Sequence, residues 1–101
     1  MPLFAVIAHD VPNSIEKRLA VRPRHVARLE KLHAEGRIIV AGPLPTSHDT
    51  PPTGFSGSLF VLDFPDRASM DAWFAEEPFV LEGIYASIEV KPFLQTFLKQ
   101  S

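Results

Sequence analysis

The side chain in this sequence with most chemical promise is His25, in the run Arg22-Pro23-Arg24-His25. It falls on the same helical stripe as Leu29 and Leu32, where an imidazole interrupts an otherwise apolar face. Such a residue is either a core histidine satisfied by one hydrogen bond or a group that handles protons. If Pro23 opens the helix, His25 lies in its first turn. The unpaired N–H groups there disfavour a positive charge, which leaves the ring neutral and able to accept a proton. His33, near the same stripe, is read as structural.

Two charge clusters also break local rules. Arg18, Arg22 and Arg24 crowd the beginning of that helix, against its dipole. A bound anion would reverse the sign of that effect, because N–H groups and guanidinium forks both favour it. Asp10 could serve as an internal anion, or the cluster could be an exposed basic rim. Glu76 and Glu77 end a later helix, where acidic groups are unfavourable. Glu77 lies seven residues after Met70 and continues its apolar stripe. A carboxylate tucked there seeks a cation, and a histidine could supply it. The alternative is a frayed helix end with both carboxylates in water.

Other chemistry is missing from the sequence. The chain has no cysteine, which removes disulfides, thiol nucleophiles and Cys–zinc sites together. It holds no phosphate-binding glycine loop, no H-E-x-x-H and no histidine pair at ligand spacing, so neither a cofactor nor a metal is expected. No G-x-S-x-G surrounds Ser56 or Ser58. The formal charge of −2 gives no basic excess for nucleic acid. The longest apolar run, Leu3 to Ala8, is too short to cross a bilayer. No signal peptide is evident at the N-terminus. With 46% apolar and 22% charged residues over 101 positions, the expectation is a soluble, cytoplasmic chain forming a single domain over 1–101.

The elements that must position these residues follow from periodicity and from the 10 prolines. Leu3–His9 reads as an inner strand, apolar on both faces. Asn13 with Glu16 forms a capping box for a short helix over Ser14–Val21. Pro23 is expected to interrupt it and to open a second helix with stripe Val26, Leu29 and Leu32, stopped by Gly36. Arg37–Ala41 is a strand closed by Gly42-Pro43. Leu44–Gly57 reads as a mobile loop, Ser58–Phe64 as a third strand. Asp66 caps a helix carrying Met70, Trp73 and Phe74, which Pro78 ends. Ser87–Lys91 is the last strand, followed by an apolar tail of Phe93, Leu94, Phe97 and Leu98.

This β-α-β-β-α-β order predicts an α+β, ferredoxin-like antiparallel sheet with both helices on one face. The first and third strands carry apolar residues at both parities. The face without helices would then be an apolar patch larger than a monomer usually exposes. A second copy is expected to cover it, most simply as a two-fold homodimer.

Several segments together resemble the YciI-like (YCII-related) family. They are Glu16-Lys17-Arg18-Leu19, Arg22-Pro23-Arg24-His25, Leu29 through Leu32-His33 to Glu35-Gly36-Arg37, Ala41-Gly42-Pro43 and Gly54-Phe55-Ser56-Gly57-Ser58. In the second half Ala72-Trp73, Glu77-Pro78-Phe79, Gly83-Ile84-Tyr85 and Val90-Lys91-Pro92-Phe93 follow in order. The resemblance implies a ferredoxin-like fold that dimerises face to face as an α+β barrel. It also implies a histidine–aspartate centre near the dimer cleft, with His25 as the histidine. The aspartate, from an Asp-Pro-aromatic motif, corresponds to Glu77, so this sequence departs from the family there. A related protein acts as a dehydrochlorinase, and similar members are thought to be small-molecule lyases or isomerases.

The function expected is cofactor-free acid–base catalysis on a small substrate, anionic or aromatic. His25 and Glu77 would be the catalytic pair. Arg18, Arg22, Ser58 and Asp10 would hold the substrate or support the histidine. Two alternatives stay open. One is a non-catalytic ligand-binding or regulatory module with the same cleft. The other is a haem- or quinone-directed monooxygenase of the same dimeric barrel type.

Overall fold

Alternation sets the core. Phe4, Val6 and Ala8 point to one side of the first strand, β1 (Leu3–Asp10), and pair in register with Leu62, Phe60 and Ser58. The computed structural model describes residues 2–98. After β1 come α1 (Ile15–Ala34), β2 (Ile38–Pro45), β3 (Phe55–Asp63), α2 (Arg67–Ala75), α3 (Pro78–Leu81) and β4 (Tyr85–Phe93). The four strands form one antiparallel sheet in the order β2-β3-β1-β4. Val21 and Leu32 of α1, Met70 and Phe74 of α2 and Phe79 of α3 pack on the Phe4 side of the sheet. Each such side chain stabilises the fold by roughly 1.5–3 kcal/mol through burial. Leu3, Ala5, Ile7, Leu59 and Val61 point to the other side, which no helix covers, and neighbouring Val40 is 50% exposed. No helix among the described residues is long and apolar enough to cross a membrane.

The expected α+β fold is present, but several element boundaries differ. The two helices expected around Pro23 are one helix, with Pro23 inside it. Proline there removes the bond to the carbonyl of Leu19. Leu19 and Pro23 are both exposed, so water can reach that carbonyl. The helix starts later than the capping box predicts. Asn13 takes a left-handed turn (φ 58°), and Ser14 is the N-cap residue, but its hydroxyl donates to Asp10 instead of capping. Asp66 does cap α2 as expected, accepting from the Ser69 N–H and hydroxyl at 2.7 Å each. Those bonds hold its carboxyl below the usual range.

Pro78 begins a helix where it was expected to end one. It occupies the first turn of α3, where a missing N–H costs nothing, and Glu77 is the N-cap. β2 runs on through Pro43 to Pro45, which an edge strand tolerates. The intervening loop is therefore shorter than Leu44–Gly57 and spans residues 46–54. β4 is likewise longer than Ser87–Lys91, and Pro92 sits in this second edge strand.

Gly57 of β3 lies opposite His9 of β1. A Cβ there would stand 1.9 Å from the Ala8 carbonyl oxygen, so the strands would have to separate. Gly57→Ala is expected to destabilise the chain by about 2–3 kcal/mol, read as a lower urea midpoint. A midpoint equal to that of the parent chain would show that the strands tolerate the methyl.

Candidate functional site

The stripe of α1 that faces the core carries Arg18, Val21, His25 and Leu32, so two of its four buried residues are polar. Each must find partners or the burial would cost several kcal/mol. No buried side-chain nitrogen or oxygen among the described residues lacks one.

Arg18 finds its partners at the end of β1. Its Nε donates to Asp10 Oδ2 at 2.6 Å and its Nη2 to Oδ1 at 2.9 Å, a two-point ion pair with side chains 7% and 1% exposed. Nη2 also donates to the Gly57 carbonyl at 2.7 Å and to Ser58 Oγ at 3.0 Å. Tyr85 donates its hydroxyl to the same Ser58 Oγ at 2.7 Å. Burial pushes the Tyr85 phenol well above its ordinary range, against the smaller opposing effects of the Ser58 bond and the Arg18 charge. Tyr85 therefore stays a donor. With two bonds accepted, Ser58 keeps its own hydrogen for a further acceptor.

His25 meets Glu77 through Nδ1, and the Glu77 side chain is fully buried. The other Glu77 oxygen accepts from Arg28 Nη1 at 3.1 Å, and the Phe79 N–H adds a donor at 3.3 Å. Arg28 is itself fixed by the Trp73 carbonyl at 3.0 Å and by the Trp73 ring, 4.3 Å from its guanidinium carbon. The imidazole lies flat on Phe79, with centroids 4.0 Å apart and planes 8° apart. Arg28 and the Phe79 N–H donate to Glu77, and the His25 tautomer with its hydrogen on Nδ1 makes a third donor. That tautomer leaves the lone pair on Nε2.

Both centres line one cavity of about 620 Å³ between α1 and the β2–β3 edge. Arg18, Arg22, His25 and Ser58 supply its polar lining, and Phe55, Phe60, Phe79, Pro51 and Pro52 are among its apolar walls. His25 with Glu77, and Arg18 with Ser58 and Asp10, thus form two hydrogen-bonded groups at one cavity. No group of three or more His, Cys, Asp or Glu among the described residues is placed to hold a metal.

Three electrostatic expectations change. His25 lies in the middle of α1, beyond the first turn where the helix dipole acts, so it is Glu77 that orients the ring. For the same reason Arg22 and Arg24 do not lie at a helix start: Arg24 pairs with Glu82 at 3.4 Å and Arg22 lines the cavity, while Arg18, the fourth residue of α1, pairs with Asp10. Glu77 is no frayed end. It caps α3, where a negative charge is favourable, while Glu76 is exposed. His33 is exposed and lies off the core stripe. Arg28 escaped the sequence reading, although its spacing of three from His25 puts it on the same helix face. Phe79 and Tyr85 entered the sequence reading only within the segments that carry the family resemblance, with no role of their own.

Fold and site together define the class of protein. A family model described as YCII-related domain matches residues 2–94, and the chain belongs to that family. An uncharacterised protein of Haemophilus influenzae is 44% identical over 96 residues, covering 93% of this chain and 98% of its own. Protein YciI of Escherichia coli is 43% identical over 97 residues, with 94% and 99% covered. Among solved structures, 5-chloro-2-hydroxyhydroquinone dehydrochlorinase from Burkholderia phenoliruptrix, in complex with 2,5-dihydroxybenzoquinone, superposes with a TM-score of 0.81. It is 26% identical, and the match covers 91% of this chain and 93% of that one.

Proposed function

We propose that the chain is a cofactor-independent acid–base enzyme acting on a small molecule, in lyase, isomerase or dehydrochlorinase chemistry. One observation carries this reading: His25 is fixed through Nδ1 by a buried carboxylate while its ring lines a largely apolar cavity. Nε2 takes a proton from the substrate. In an elimination the leaving group then departs with its electron pair, and the imidazolium gives the proton to water. Glu77 stabilises the imidazolium, and the apolar walls strengthen that attraction by excluding water. Ser58 and Arg22 hold substrate oxygens, and Arg18 assists from the cavity wall. Asp10 acts at one remove by fixing Arg18. Pro51 and Pro52, in the loop 46–54, form a lid. The dehydrochlorinase of the same fold, with a quinone bound, supports this chemistry. The test is halide release from 5-chloro-2-hydroxyhydroquinone and from halogenated phenols that carry a second ring, by the parent chain and by His25→Ala. Equal turnover by the two would overturn the assignment.

We also propose that a second copy covers the open face of the sheet. Half-buried Ile7 and Leu59 lie at its centre, and Leu94, Phe97 and Leu98 after β4 are 82%, 93% and 66% exposed, more apolar surface than a lone chain of this size favours. Sedimentation at micromolar concentration is expected to give a dimer, and Ile7→Lys a folded monomer. A parent chain that sediments as a monomer would remove the second copy.

A further inference from the structure

Of the six arginines in the chain, five have a carboxylate partner: Arg18, Arg24, Arg28, Arg37 and Arg67. Arg22 has none among the described residues, and it lines the cavity. Arg18, the other cavity arginine, has its charge balanced by Asp10. Glu77 likewise balances Arg28. The cavity wall thus carries one uncompensated positive charge, on an exposed side chain, against a lining that is otherwise mostly apolar.

The cavity is also long. Its lining on α1 begins at Ile15 and ends at Leu29, about 21 Å of helix axis at 1.5 Å per residue. Its volume of about 620 Å³ is roughly four times the ~150 Å³ that accommodates a benzene ring. A single substituted ring would leave most of the apolar lining in contact with water.

We infer that the ligand of this cleft is an elongated amphipathic monoanion, larger than one ring, whose anionic group is held by Arg22 while its apolar body lies along Val26 and Leu29. This rests on the assignment of the cleft as a small-molecule site, and it narrows the substrate class. Arg22 stands one helical turn before His25 and midway along this lining, so an anionic group held there is near the imidazole and a body of about 10 Å reaches Leu29. Because Arg22 is exposed, the charge contact is screened by salt, whereas apolar contact along the helix is not.

Calorimetric titration of the parent chain and Arg22→Gln with three probes tests this: benzoate, para-phenylbenzoate and the neutral para-phenylbenzamide. The parent chain is expected to bind para-phenylbenzoate at least about tenfold tighter than benzoate, because the second ring buries apolar surface. Arg22→Gln is expected to weaken para-phenylbenzoate about tenfold while leaving the amide within about twofold, and added salt should weaken only the carboxylate. Benzoate binding as tightly as para-phenylbenzoate would overturn the size claim. Arg22→Gln weakening carboxylate and amide alike, or neither, would overturn the charge claim, and no binding of any probe at millimolar concentration would overturn both. Binding and turnover fail separately. Arg22-dependent binding with unchanged turnover in His25→Ala would sink only the acid–base assignment. His25-dependent turnover without binding of para-phenylbenzoate would sink only the ligand class.

Discussion

Asp10→Ala is expected to cost about 3–5 kcal/mol of folding free energy, enough to bring a domain of this size close to unfolding. Arg18 is 6% exposed, and Asp10 provides its charge partner. Removing the carboxylate leaves the guanidinium desolvated, with only the Gly57 carbonyl and Ser58 Oγ as acceptors. Ser14 loses the acceptor of its hydroxyl as well. At roughly 4–8 °C per kcal/mol for a small domain, the melting temperature should fall by tens of degrees. The double variant Asp10→Ala/Arg18→Met should recover most of the loss, because it removes the stranded charge and keeps an apolar stem against Phe55 and Phe79. Urea unfolding of the three chains measures this. A single variant within about 1 kcal/mol of the parent would mean that water reaches Arg18.

His25→Ala and Glu77→Gln should each lower turnover by about 10²–10⁴-fold for different reasons. The first removes the proposed base. Its fold should persist, because Glu77 keeps Arg28 and the Phe79 N–H as partners. The second keeps the shape but not the charge. A glutamine can turn its N–H toward Nδ1, which forces the ring hydrogen onto Nε2 and blocks proton acceptance. The imidazolium also loses its counter-charge. A Glu77→Gln chain as active as the parent, with an unchanged urea midpoint, would show that the carboxylate only fills space. Arg28 makes this site stricter than a two-residue pair. It holds the second Glu77 oxygen and is itself fixed on Trp73. Glu77 is one methylene longer than the aspartate that the resemblance implies, and it still reaches His25.

Much of the architecture was legible because sheet and helix patterns are local. The alternation in Leu3–His9 and Ser58–Phe64 gave the two central strands, and Met70 and Phe74 gave the core side of α2. Proline misled where local rules take no account of surroundings. Pro23 sits inside a helix because its orphaned carbonyl meets water, and Pro43, Pro45 and Pro92 sit in strands because β2 and β4 are sheet edges. Whether a strand is an edge is a property of the assembled sheet, which no short window of sequence contains.

His25 and Glu77 stood out in the sequence because each places a polar group on an apolar stripe, and that conflict is visible from spacing alone. Their meeting spans 52 positions, and Arg18 reaches Ser58 across 40. Contacts of that range are fixed only when α1 packs across the sheet. Packing decided that Asp10 neutralises Arg18, that Arg28 shares Glu77 with the imidazole, and that Arg22 has no carboxylate partner among the described residues. A charge's role depends on what lies within a few ångströms of it in space, and chain order sets that distance only for near neighbours.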